Sequence, residues 1–306
     1  MSVTVFGSLN LDVALRVPSR ATWGQTVLVD DAAQAVGGKG LNQAVAAARF
    51  GSKTRMAGAI GEDEAGALLR SALEDEGVDT RGLATISGAT SGRATILIEP
   101  GGDNFIAVET GANRLATSEM ALAVWDPGTR VLLMQLETDI DAMAALLSHE
   151  ASAPVRKIVN FAPALPEGRR LFDLTDMLIF NQSEFAEYLQ LDREPEGLED
   201  LLVARRILSR PKQAVVVTLG ASGSAAVWAD EAMVFPGFRI DDVVDTSGAG
   251  DCFCGVVASC VDQAIDPKSA LRLANAAAAL SVTGRGAAPS IPARPAVDAF
   301  LASITG

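Results

Sequence analysis

From residue 115 onward the chain alternates strand and helix patterns, and this alternation limits the possible folds more than any other feature. Apolar runs at 131–136, 157–161, 177–180 and 214–219 read as strands, and stretches at 139–148, 183–189 and 201–208 read as helices. Short strands at 225–228 and 232–235 follow, and helices at 249–263 and 268–282 close the chain. Successive strands joined by helices pair in parallel through right-handed crossovers, which places helices on both faces of one sheet. The expected class is therefore α/β: a doubly wound, mostly parallel sheet flanked by helices. The N-terminal part begins in the same way, with a strand at 3–7, a helix at 40–50 stopped by Gly51, a strand at 54–60, and a helix at 63–76 with Leu68, Leu69 and Leu73 inward. Two β-rich pieces break the rhythm. One is 12–36, including the alternating Thr26-Val27-Leu28-Val29; the other is 92–109, a hairpin around Pro100-Gly101-Gly102-Asp103. These are expected to pair as a small β-sheet, a lid over the carboxyl edge of the main sheet, within one domain spanning 1–306.

The chain of 306 residues is 49% hydrophobic, enough for a single large core, and its 21% charged residues form no long like-charge block. A net charge of −13 argues against nucleic acid or an anionic membrane as partner. It also means that an anionic substrate needs local positive help. The N-terminus has no basic segment leading into an apolar one, and no apolar run reaches about 18 residues, so neither a signal peptide nor a membrane span is expected. Cys252, Cys254 and Cys260 fall in one predicted helix, far in sequence from the single histidine, His149. Buried reduced thiols and a cytoplasmic location are the expectation.

The chemistry concentrates at 243–253. Val243 and Val244 read as the end of an extended segment, and from Phe253 the apolar residues take a helical period. Gly248-Ala249-Gly250 is thus a small-residue loop feeding a helix N-terminus, where backbone N–H groups and the helix dipole favour an anion. Asp251 beside such a site would repel a phosphate. It either serves as general base for a hydroxyl that attacks the phosphate, or simply caps the helix. Val36-Gly37-Gly38-Lys39-Gly40-Leu41-Asn42-Gln43 is a second glycine-rich entry to a helix. Its Asn42 can offer donor and acceptor to a hydroxyl-rich ligand, although a plain connector would look the same. Asn10, Asp12 and Glu137 follow strand ends, where α/β proteins bind ligands. Converging there, they suit the hydroxyls of a sugar. The turn after the first strand lacks the dinucleotide-binding glycines, and Gly38-Lys39 lacks the Ser or Thr of a P-loop.

Gly37-Gly38-Lys39-Gly40-x-Asn42-Gln43-Ala44 and Asp245-Thr246-x-Gly248-Ala249-Gly250-Asp251-x-Phe253 resemble the two signatures of the ribokinase-like (PfkB) carbohydrate kinases. Lesser matches run in order along nearly the whole chain: Gly61-x-Asp63-x-x-Gly66, Gly111-Ala112-Asn113, Leu133-x-Gln135-Leu136-Glu137, Asn160-x-Ala162-Pro163-Ala164, Asn181-x-x-Glu184, Thr218-Leu219-Gly220 and Gly284-x-Gly286-Ala287. The resemblance implies that Asp251 takes the proton from a sugar's primary hydroxyl and that Gly248, Ala249 and Gly250 form the anion hole. It implies a sugar site of Asn10, Asp12, Gly38, Lys39, Asn42 and Glu137. Asn181 and Glu184 would organise Mg²⁺ and the phosphates, their spacing putting both on one helix face. Thr218, Gly220, Gly223 and Asn275 would line the ATP site. Asp245, Ser247, Ser281, Gly284, Gly286 and Ser290 would form a loop for a monovalent cation, K⁺, mostly through backbone oxygens. Half a charge from a helix end cannot balance MgATP in an acidic protein, so Mg²⁺ is expected to be essential and K⁺ to reinforce the anion hole.

The expected activity is ATP-dependent phosphorylation of D-ribose to ribose 5-phosphate. The alternatives are another sugar such as fructose, or a nucleoside, for which 5% aromatic residues give little stacking surface. A non-catalytic sugar-binding protein is disfavoured by the intact Asp251 and glycine loop, and an oxidoreductase by the missing glycine fingerprint. Members of the family usually carry Thr and Asn where this chain has Cys252 and Cys254, and Gly-Glu-Thr in place of Gly24-Gln25-Thr26, which bears on pocket shape. The exposed edges of the lid strands are expected to pair with a second copy, giving a homodimer.

Overall fold

A computed structural model describes the chain except Ala21, Asp30, Gly102, Asp103 and Gly306. Its strands are β1 (Ser2–Phe6), β2 (Asn10–Arg16), β3 (Asp31–Gly37), β4 (Thr54–Gly61), β5 (Asp79–Ile86), β6 (Gly92–Ile98), β7 (Asn104–Glu109), β8 (Thr129–Gln135), β9 (Arg156–Asn160), β10 (Met177–Asn181), β11 (Ala214–Thr218), β12 (Gly223–Val227) and β13 (Ala232–Pro236). The helices are α1 (Lys39–Arg49), α2 (Glu64–Asp75), α3 (Ser118–Leu122), α4 (Ile140–Ser148), α5 (Gln182–Leu189), α6 (Leu198–Leu201), α7 (Ala249–Asp262), α8 (Pro267–Ser281), α9 (Ala287–Ser290) and α10 (Arg294–Thr305).

Nine strands form one sheet in the order β13-β12-β11-β10-β9-β8-β1-β4-β5. All neighbours from β5 to β11 pair in parallel, and β12 and β13 add an antiparallel edge. Alternate side chains of each strand feed opposite layers. Val131 and Leu133 pack with α1, α7 and α8 on one face, while Leu132 and Met134 join α4 and α5 on the other. The chain runs outward from β1 to β4 and β5, then returns to β8 and proceeds the other way. The order therefore reverses between β1 and β8, and the crevice at their carboxyl ends is where such sheets bind ligands.

A separate four-stranded sheet has the order β3-β2-β6-β7. The hairpin β6–β7 forms as expected, although Gly102 and Asp103 of its turn lie outside the described residues. Thr26-Val27-Leu28-Val29 is not a strand. The strands of that region are β2 and β3, and Leu28 is 82% exposed, because an alternating pattern without a partner strand gains nothing from extension. Other expectations also shift. Leu69 and Leu73 are fully buried, but Leu68 is 47% exposed, one helical position off the buried stripe. The expected helix at 201–208 is instead the end of α6 continued by a 3₁₀ turn, Leu202–Ile207. Strand β5 and helix α10 were not expected; α10 closes the chain after α8. Val243 and Val244 are exposed and belong to no strand; the Val244 and Asp245 amides instead donate to the Val282 carbonyl. Among the described residues, no helix is long and apolar enough to cross a membrane.

Candidate active site

The crevice between β1 and β8 is closed by a carboxylate. Ser8 Oγ, just past β1, donates to Glu137 Oε2 at 2.5 Å, and the Lys39 amide at the start of α1 donates to the same oxygen at 3.2 Å. Glu137 thus ties the exit of β8 to the exit of β1 and the entry of α1. Asn10 opens β2; its Oδ1 accepts from Asn113 Nδ2 at 2.8 Å, which leaves its own amide N–H groups for a ligand. Asp12 lies two residues further on β2, half-buried. Burial, then the charges of Glu137 and Asp251, push its carboxyl up to about 7.

Helix α7 begins at Gly248, whose φ of 74° suits glycine, and a Cβ there would meet Ala287 Cβ at 2.6 Å. Asp251 is the third helical residue and makes no capping bond; Gly248 is the cap position, so the plain capping reading of Asp251 does not hold. Asp251 is 7% exposed. Its Oδ2 accepts from Asn42 Nδ2 at 3.0 Å and its Oδ1 from Gln43 Nε2 at 2.9 Å. Both donors come from α1, which approaches α7 so closely that a Cβ on Gly255 would meet the Gln43 carbonyl at 2.4 Å. Asn42 Oδ1 is buried without a hydrogen-bond partner.

Two cavities flank the first turn of α7. A polar one of about 120 Å³ is lined by Lys39, Asn160, Asn181, Glu184 and Asp251. A larger, mostly apolar cleft of about 580 Å³ is lined by Thr218, Gly220, Gly223, Phe238, Asn275 and Val282. Thr218 and Gly250 line both, so the two spaces adjoin. Burial would lower the Lys39 ammonium, but Asp251, Glu137 and Glu184 around it hold it above its ordinary value. Glu184 is pushed up, chiefly by burial.

Asn181 and Glu184 stand on the same side of α5, but Asn181 is its cap rather than a helical residue. Asn181 caps α5: its Oδ1 accepts from the Glu184 amide at 2.7 Å, and Glu184 Oε2 accepts from the Asn181 amide at 2.8 Å. Their spacing is a capping box that also sets both side chains on the polar cavity. The loop residues also converge. Asp245 accepts from the Ser247 and Gly286 amides at 2.9 Å each, the Gly284 amide donates to the Ser281 carbonyl, and Gly284 lies against Ser290.

Gln43, Gln135 and Asn160 fall within the sequence patterns, but sequence alone assigns them no role. All three are buried behind Asp251, with Gln43 donating to Asn160 Oδ1 and accepting from Gln135 Nε2. The available signal was polar amides in otherwise apolar stretches.

The three cysteines are free and buried in α7. Burial pushes Cys252 and Cys260 up to about 12 and Cys254 well above its usual value. The native protein is therefore expected to resist an aromatic disulfide reagent at about pH 8, with all three thiols reacting only on unfolding. Rapid reaction of the native protein would contradict the packing of α7.

Residues 1–294 match the family described as pfkB family carbohydrate kinase. The chain belongs to this family. It is a sugar kinase, a phosphotransferase acting on an alcohol group. It is 34% identical over 308 residues to a ribokinase of Haemophilus influenzae, covering 98% of each chain. A crystal structure of a ribokinase from Thermotoga maritima superposes with a TM-score of 0.87 at 31% identity, covering 99% of each. An Arabidopsis thaliana ribokinase, solved with ribose and ATP, does so with a TM-score of 0.87 at 26% identity, covering 98% of each.

Proposed function

We propose that this PfkB kinase phosphorylates D-ribose with ATP, giving ribose 5-phosphate and ADP. The observation that carries this is the junction at Gly250, where the polar cavity holding Asp251 meets the apolar cleft. A sugar hydroxyl in the first space and a triphosphate reaching from the second would meet over the first turn of α7. Asp251 takes the proton as the hydroxyl oxygen attacks the γ-phosphorus. The bond from that phosphorus to the bridging oxygen breaks, and ADP leaves with the electron pair. The N–H groups of Ala249 and Gly250, with Gly248 shaping the turn, stabilise the charge on the transferring group. Lys39, Asn10, Asp12, Gly38, Asn42 and Glu137 hold the sugar, and Thr218, Gly220, Gly223 and Asn275 the nucleotide.

Asn181 and Glu184 bring one carboxylate and one amide to the polar cavity, which fits Mg²⁺, an ion that takes most of its ligands from phosphates and water. Asp245, Ser247, Ser281, Gly284, Gly286 and Ser290 bring together oxygen donors suited to K⁺. The Asp245 carboxylate is taken up by two amides, so this loop would hold the cation through carbonyls. When bound, both cations offset phosphate charge. The small sheet serves as lid. Exposed Phe105, Ile106 and Val108 on its strand β7, with exposed Trp23 between β2 and β3, support pairing with a second copy, which sedimentation would measure.

The test is ADP release from MgATP with ribose, 2-deoxyribose, fructose, adenosine and inosine, with and without K⁺. Ribose-dependent turnover is expected. Turnover on another member would keep the chemistry and replace the substrate, whereas sugar binding without any turnover would overturn the kinase reading.

Asp12 adds a pH dependence. Ionised, it accepts two sugar hydroxyls; between about pH 8 and about pH 6 it gains a proton and loses that capacity. KM for the sugar is expected to rise several-fold as the pH falls, more than kcat changes, and Asp12→Asn is expected to abolish that dependence. A KM independent of pH in the wild-type enzyme would remove Asp12 from the sugar site. The sign for stability is opposite to that of a paired carboxylate. The folded state keeps a proton that the unfolded chain has released, so this group lowers stability as pH rises between 3.8 and about 7.

A further inference from the structure

We propose that Gln43 and Gln135 act as a positioning pair that fixes the Asp251 carboxylate for proton transfer, an inference that rests on the kinase function above. Gln43 on α1 and Gln135 at the end of β8 are both wholly buried. Gln43 Nε2 donates to Asp251 Oδ1 at 2.9 Å and to Asn160 Oδ1 at 3.1 Å. Its Oε1 accepts from Gln135 Nε2 at 2.7 Å. A flipped Gln43 amide would set its oxygen against a carboxylate and a second carbonyl, and Gln135 blocks the flip from the other side.

The chain of amides carries a cost. Gln135 Oε1 is buried without a hydrogen-bond partner, a cost that an apolar side chain would avoid. A core filler has no reason to bear it; a device that orients the base does. The division of labour on α1 follows. Asn42 gives one N–H to Asp251 Oδ2, while Gln43, wholly buried, gives its N–H groups to Asp251 Oδ1 and Asn160 Oδ1. With one donor fixed on each oxygen, the carboxylate is held in one rotamer with its remaining lone pairs toward the polar cavity.

The charged and titratable groups around Asp251 are Lys39 on α1, Glu184 on α5, Asp12 on β2, and Cys252 and Cys254 on its own helix. All of them stay in place in the variants proposed here. Gln43→Met keeps the length and removes the donor. It is expected to lower kcat about tenfold to a hundredfold with the KM for ATP little changed. Losing an N–H donor favours the protonated carboxyl, so the acid limb of kcat against pH is expected to move to higher pH. Gln135→Met is expected to give a smaller loss and a smaller shift in the same direction. Because Gln135 acts through Gln43, the double variant is expected to be no slower than Gln43→Met alone.

The assays use whichever sugar the wild-type enzyme turns over best. Wild-type turnover with an unmoved acid limb in both single variants, or additive losses in the double variant, would overturn the positioning role and leave the kinase intact. Should Gln43→Met not fold, the acid limb of Gln135→Met decides. A wild-type enzyme inactive on every sugar removes the kinase function, and the inference with it.

Discussion

Asp251→Ala is expected to lower sugar-dependent ADP release about a hundredfold to ten-thousandfold, the range a positioned general base contributes. The carboxylate is buried in the wall of the polar cavity, next to Gly250 where the two cavities join, with both oxygens held by amides; among the described residues no other carboxylate accepts from those donors. Glu184 lines the same cavity but spends one oxygen on the cap of α5. Removing Asp251 leaves the Asn42 and Gln43 donors without their acceptor at about 1–3 kcal/mol, which a large α/β domain tolerates. Sugar and nucleotide binding, measured by calorimetry, should therefore survive while turnover does not. Turnover near the wild-type rate would assign the proton to another acceptor.

Gly250→Ala is expected to keep or raise the melting temperature and yet cut turnover about tenfold or more. A Cβ at this position meets no protein atom within 4 Å, and the backbone is outside the left-handed region. In the first turn of α7, alanine is the better helix former by about 0.5–1 kcal/mol. The methyl group points instead into the space where the two cavities join, and displacing a reacting group by about 1 Å can cost a hundredfold. Gly248→Ala is the contrast, because there the positive φ and the contact with Ala287 make the protein itself suffer. A loss of activity with unchanged melting at Gly250, beside a loss of both at Gly248, would separate phosphate approach from folding. Full activity of Gly250→Ala would place the transferring group elsewhere.

Much of the main sheet was legible because its inner strands are apolar on both faces, and their runs of Val, Leu and Ile stand out against helical periods. The edge strand β5 was not, since Asp79, Arg81 and Thr85 dilute its pattern and it is buried only in part. Thr26–Val29 shows the converse: alternation is necessary for a strand but does not supply a neighbour. The candidate site was legible as two glycine-rich helix starts and a set of polar residues at strand exits. What spacing could not give was orientation. Asn181 and Glu184 satisfy both a capping box and a cavity wall, and a spacing of three residues fits either. Gln43 is the immediate neighbour of Asn42, yet both reach Asp251, because α1 lies closely along α7, from Gln43 beside Asp251 to Phe50 beside Gln263.

That packing has a consequence for biosynthesis. The donors to Asp251 lie 209 and 208 residues earlier in the chain. Joining segments so far apart is the slow part of folding, reached after local structure has formed. A nascent polypeptide therefore carries Asn42 and Gln43 long before it carries Asp251. In refolding, activity should return with the last global step rather than with the growth of secondary structure. Turnover is expected only once α1 and α7 have packed together, because the Asp251 carboxylate has no donors before then.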